Sequence, residues 1–162
     1  MSASTSDEPR ATPAWLPSVY YAETLVNCAL DVAWKLMLDY QAWNPDFATA
    51  QIERLRGEAS AEGELNLIKM VGDNGEVLAE FYSETVKVVS RRHIVWYVYP
   101  KEGSAFRNFV DFWLENAESR VRFSIYYYAQ NPVTLDTLAQ QRQEMEAGLQ
   151  NLAAAFKAYC EK

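Results

Sequence analysis

The chain offers few residues able to do acid–base or covalent chemistry, and they are scattered. His93 is the single histidine. It follows Arg91 and Arg92 at the start of an apolar run, so it is expected to face water. Lys69 lies in the run Glu64 to Val71, whose alternation does not decide its face. Turned inward, it would be a buried amine with a lowered pKa, suited to Schiff-base or acid–base work. Outward is the ordinary place for a lysine and is the expectation. Arg142 stands four residues after Leu138 and three before Met145, on an apolar helical stripe. A guanidinium there binds a carboxylate or polarises a carbonyl at a cavity end. Its stem can equally snorkel past a sheet edge. Of the consecutive Tyr126, Tyr127 and Tyr128, Tyr127 is assigned inward, where its hydroxyl can orient a polar ligand. Arg142, Tyr127 and Ser83 are the catalytic candidates. No Ser–His–Asp or Cys–His arrangement and no phosphate loop is recognisable. Cys28 and Cys160 have no metal-ligand spacing, so no metal or cofactor is expected and free thiols are the default.

These residues need a scaffold, and the C-terminal stretch supplies its axis. Leu135, Leu138, Met145, Leu149, Leu152, Phe156 and Tyr159 recur at spacings of three, four or seven. A helix from Leu135 to Cys160 would run about 39 Å at 1.5 Å per residue. A helix that long needs a large apolar partner, and most of the remaining chain reads as strands. The first strand is expected at Ser18 to Asn27. Helical spacing follows at Asp31 to Leu38, then a short helix or turn over Tyr40 to Phe47, broken by Pro45. From Ala50 the period is two. Strands are expected at Ala50 to Arg56, Glu64 to Val71, Val77 to Val89, His93 to Tyr99, Phe106 to Glu115 and Ser119 to Gln130. Gly72-Asp73-Asn74-Gly75 is a hairpin signal. Short turns between consecutive strands imply antiparallel neighbours. The fold class is α+β, with the long helix on one sheet face.

Alternation chooses the inward face. Phe81, Ser83 and Thr85 are assigned inward, as are Ile94, Trp96 and Val98. Val110, Phe112 and Leu114 follow, then Val121, Phe123, Ile125 and Tyr127. Arg120, Arg122 and Ser124 are left to water. Trp96, Phe112 and Tyr127 either line a ligand cavity or are plain core. Trp43 and Phe47 either form a lid over the cavity mouth or plug the sheet edge. The helix is thinner in apolar residues before Met145 than after Leu149. The cavity is therefore expected under its first half, lined also by Phe81, Arg142, Met145 and Leu149.

The totals narrow the class of function. The length of 162 residues suits one domain, and 49% hydrophobic residues suffice for a core. A net charge of −7 argues against nucleic acid and against an anionic membrane surface as partners. No run approaches a membrane span and no signal pattern opens the chain, so a soluble cytoplasmic protein is expected, monomer or homodimer. Residues 1–17 are rich in Ser, Thr, Ala and Pro and are expected to be a disordered tail; residues 18–162 form the domain.

With the elements in place, the chain resembles the START-like superfamily, also called birch-pollen-allergen-like or SRPBCC. Asp31-Val32-Ala33-Trp34 resembles its helix opening after the first strand. Asp39-Tyr40-Gln41-Ala42-Trp43-Asn44-Pro45 resembles its D-x-x-x-W-x-P turn. Gly57 and Gly63 sit where it has glycines near the second hairpin, and Gly148 to Leu152 resembles its terminal helix. The resemblance implies a helix-grip fold, in which a curved antiparallel sheet of about seven strands wraps a long C-terminal helix, with two short helices after the first strand. It implies a cavity between sheet and helix for a small, mostly apolar molecule, aromatic or polyketide-like. The alternative is a polyketide cyclase, aromatase or dehydratase in the same cavity. The superfamily's ring-hydroxylase members use a two-histidine-and-acid iron site, which a single histidine does not allow.

Overall fold

The computed structural model describes residues 18–102, 107–129 and 135–162. The tail expected over residues 1–17 and the sheet end expected at Asn131–Pro132 lie outside them. The first strand, β1, is Ser18–Val26. Helix α1 (Leu30–Leu38), helix α2 (Tyr40–Trp43) and a 3-10 turn at Pro45–Phe47 follow. Six strands come next: β2 (Gln51–Arg56), β3 (Leu65–Val71), β4 (Val77–Val89), β5 (His93–Pro100), β6 (Asn108–Ala117) and β7 (Arg120–Ala129). Helix α3, Leu135–Cys160, closes the chain.

The seven strands make one sheet in the order β1-β7-β6-β5-β4-β3-β2, with every pair antiparallel. The chain-consecutive hairpins build β2 to β7, and β1 then closes on β7 with Tyr20 opposite Tyr127 and Thr24 opposite Phe123. Three register shifts interrupt the ladders, at Arg54/Arg56, Met70/Val71 and Thr85/Lys87. Each adds a residue to one strand and bends it. The shift in β4 also changes which side chains face in. Ser83 and Thr85 are inward before it, and Val88, opposite Ile94, packs on the core after it. Strict alternation carried through the whole strand does not anticipate this.

Gly57 holds the turn into β3. Its φ is +81°, and a Cβ there would stand 2.8 Å from the Gly63 carbonyl oxygen. A side chain at this position is therefore excluded by both backbone conformation and space.

The core sits where α3 meets the β1, β7 and β6 end of the sheet. Leu149, Ala153 and Phe156 come from α3, Val121, Phe123 and Ile125 from β7, Phe112 and Leu114 from β6, and Ala33 and Met37 from α1. Phe156 is fully buried, with its ring centroid 4.3 Å from Phe123 and 5.0 Å from Trp43. Trp43 is buried too, and its indole Nε1 donates to the Met37 carbonyl at 3.2 Å. Of the two roles weighed for Trp43, this is the plug: it ties α2 to α1 and fills the core beneath α3.

The inward assignments on β4 up to the shift, and on β5, β6 and β7, match the observed face. Two outward ones need correction. Ser124 and His93 are on the outer face as assigned, but both are buried. His93 stacks on Trp113 with ring centroids 3.6 Å apart, and its Nε2 pairs with the Asp111 carboxylate. The outer face is covered by its own aromatic side chains, so facing away from the core is not the same as facing water. Lys69 is outward as expected, 3.8 Å from Glu80.

Candidate ligand cavity

A half-open cavity of about 710 Å³ lies over the other half of the sheet. Its floor is the inner face of β3 to β7, its edge includes Ile52 of β2, and its cover is the segment from Leu38 to Phe47. The register organises the floor into three parallel rows. One row is Ile68, Phe81 and Pro100, all apolar. The next is Asn66, Ser83, Val98 and Asn108. The third is Thr85, Trp96, Val110 and Tyr127. Rows form because residues opposite one another on antiparallel strands point to the same face.

The cover owes its shape to local sequence. Asn44 accepts from the Asp46 amide through Oδ1 at 3.0 Å, and Pro45 opens the 3-10 turn. Gln41 Nε2 donates to the Ala50 carbonyl at 2.6 Å, which ties this segment to the start of β2. Tyr40 is held by aromatic edges, 5.1 Å from Trp43, 5.0 Å from Phe47 and 5.7 Å from Trp96.

Burial pushes the Tyr40 hydroxyl well above the ordinary phenol range, with Asn44 pulling it part of the way back. Burial pushes Tyr127 in the same direction, helped by Tyr20. Both are therefore neutral hydrogen-bond donors at pH 7, not phenolate bases. The charged residues bordering the cavity are Asp39, Glu64 and Glu80, all acidic, and the Glu80 side chain shares the outer face with Lys69. Glu80 is occupied by Lys101 at 3.2 Å. No arginine, lysine or histidine lines the cavity among the described residues. Such a wall can enclose, orient and donate hydrogen bonds; it has no cation to bind a carboxylate.

Of the residues predicted from sequence, Phe47, Phe81, Ser83, Trp96 and Tyr127 stand together on this wall. Trp43, Phe112, Met145 and Leu149 do not: they pack in or against the core. Arg142 is also elsewhere. Its Nη1 donates to the Val19 carbonyl at 3.1 Å, it pairs with Glu146, and its guanidinium lies 5.5 Å from the Tyr20 ring centroid. This is the snorkelling alternative, at the β1 edge of the sheet.

The expected place of the cavity, under the first half of the helix, is corrected accordingly. Helix α3 packs on β1 and β7 at one end of the sheet, and no described residue of it lines the hollow. In the described part of that half, Ala139, Gln140, Arg142, Gln143 and Glu144 are exposed. Sequence reasoning also missed Tyr40, Asn66, Val110 and Asn108 as wall residues. A signal existed for Asn108, since it shares the inward parity of Val110 and Phe112. A polar residue at an inward strand position is a flag for a wetted or ligand-facing wall.

No family model matches the chain, and no curated protein matches it by sequence. Solved structures do match in shape. Ara h 8.0201 superposes with a TM-score of 0.66 at 11% identity, over 89% of this chain and 97% of that one. Protein CV1439 from Chromobacterium violaceum gives 0.64 at 13% identity, over 89% and 97%. The Zhui aromatase/cyclase from Streptomyces sp. R1128 gives 0.61 at 13% identity, over 90% and 94%. At these identities the likeness concerns shape, and the element order agrees with it throughout: the chain has the helix-grip fold, a seven-stranded antiparallel sheet with two short helices after the first strand and a long C-terminal helix.

Proposed function

We propose that the protein binds a small, mostly apolar molecule, aromatic in character, in the cavity between the sheet and the Leu38–Phe47 cover. The observation that carries this reading is the cavity itself: about 710 Å³, walled chiefly by Phe47, Phe81, Trp96, Val98, Val110 and Ile68. A volume in the range of about 300–1,000 Å³ with few polar groups is what a small-molecule site has. Binding is favoured over catalysis because the wall offers neutral tyrosine donors and, among the described residues, no histidine or lysine to pair with them.

The reading is tested with biphenyl as probe, followed through tryptophan emission, because Trp96 lies on the wall. Saturable quenching is expected in the wild type. Val110→Trp, which fills the middle of the floor, should abolish it without lowering the melting temperature by more than a few degrees. Equal binding by wild type and a folded Val110→Trp would place the probe elsewhere and refute the reading. Native mass spectrometry of protein from its own host then identifies what occupies the cavity.

A further inference from the structure

The middle row of the cavity floor differs from its neighbours. Asn66, Ser83 and Asn108 are polar and uncharged, and Val98 is the one apolar member. The row on one flank is apolar, Ile68, Phe81 and Pro100, and the row on the other sets Trp96 and Val110 between Thr85 and Tyr127. Asn108 is 1% exposed, and its Oδ1 is buried with no hydrogen-bond partner. A buried carbonyl oxygen in that state has lost water and gained nothing in exchange. Asn108 lies on the cavity wall, and a turn about its side-chain torsions would bring that oxygen to an incoming group.

Resting on the cavity reading above, we propose that this row reads polar groups along one edge of a neutral, elongated ligand, and that Asn108 is its main specificity determinant. Asn108 Oδ1 takes a hydroxyl or N–H donor at one end. Ser83, two strands away, meets a second polar group about 10 Å from the first, and Asn66 lies about 5 Å beyond it. Phe81 and Pro100 on one flank and Trp96 and Val110 on the other grip the rings between them. A ligand without the donor leaves Asn108 stranded, and rejection follows from that unpaired group more than from lost attraction. Anions are disfavoured, since Asp39 and Glu64 stand at the wall and no arginine, lysine or histidine lines it among the described residues.

The test compares four probes: biphenyl, biphenyl-4-ol, 4,4′-dihydroxybiphenyl and biphenyl-4-carboxylate. The hydroxyls of the third stand about as far apart as Ser83 and Asn108. Wild type should bind 4,4′-dihydroxybiphenyl about tenfold or more tighter than biphenyl, and biphenyl-4-carboxylate at least about tenfold more weakly than biphenyl-4-ol. Asn108→Leu should cut the dihydroxy compound's affinity about three- to tenfold and leave biphenyl unchanged or tighter. Ser83→Ala should remove a smaller share, and Asn108→Ala reads the same ratio if the leucine does not fold. A hydroxyl preference that is undiminished in the folded Asn108 variants overturns the assignment, as does tight binding of the carboxylate. Biphenyl binding with no hydroxyl preference overturns the row but leaves the cavity standing. Failure of all four probes to bind the wild type removes the cavity reading and the row with it.

Discussion

The two halves of this sheet use the same alternation to opposite ends. On the β1, β7 and β6 side, the inward positions are Tyr20, Phe123, Ile125, Phe112 and Leu114, and helix α3 supplies Phe156, Ala153 and Leu149 to meet them. On the β3, β4 and β5 side, the inward positions include Asn66, Ala79 and Ser83, and the cover is a short helix and a turn. One half is filled to the density of a core; the other holds a hollow. A single long helix covers one end of a seven-stranded sheet, and small or polar inward residues mark the part it does not cover. Stability is expected to reside in the first half and selectivity in the second.

The largest expected effect tests that division. Phe156→Ala should cost about 3–5 kcal/mol, because the site is enclosed by Trp43 and Phe123 and cannot collapse. Phe81→Ala removes a ring of the same size from a half-buried position facing the hollow, and should cost only about 1 kcal/mol. Urea unfolding of the two variants gives the comparison directly. Equal losses would mean that the cavity half is as tightly packed as the core.

A smaller effect concerns the outer face. Burial raises the Asp111 carboxyl above its ordinary range, while His93 and Trp113 pull it back. A carboxyl raised on folding favours the folded state while it is protonated. That contribution is fully present below the unfolded value of about 4 and is lost as pH rises through the higher folded value. Asp111→Asn keeps a side chain of the same shape and removes the titration. Its stability relative to wild type should improve steadily as the pH is raised from about 3 to 7. A difference in urea midpoints that stays flat across this range would show that the ion pair with His93 cancels the burial penalty.

The smallest effect is expected at Arg142. The residue is exposed and its bonds to Val19 and Glu146 are at the surface. Arg142→Ala should change stability by about 0.5 kcal/mol and leave biphenyl binding unaltered. A loss of binding would bring the helix back to the cavity and break the separation of the two halves.

What the sequence determined by itself was local and periodic. The 3.6-residue stripe located α3 from Leu135 to Cys160, and the two-residue alternation placed Phe81, Trp96, Phe123 and Tyr127 on the inner face. Both are properties of neighbouring residues on one element, which a backbone of fixed geometry enforces. The tertiary structure alone decided where along the sheet α3 would sit, and so which inward residues became core and which became wall. Phe112 and Trp96 share a face and a ring-to-ring contact of 5.0 Å, yet the first is sealed and the second lines the hollow. It also decided that His93 is buried, since its cover, Trp113 and Asp111, comes from the next strand. Burial depends on what arrives from distant parts of the chain, and no periodicity within one strand encodes that arrival.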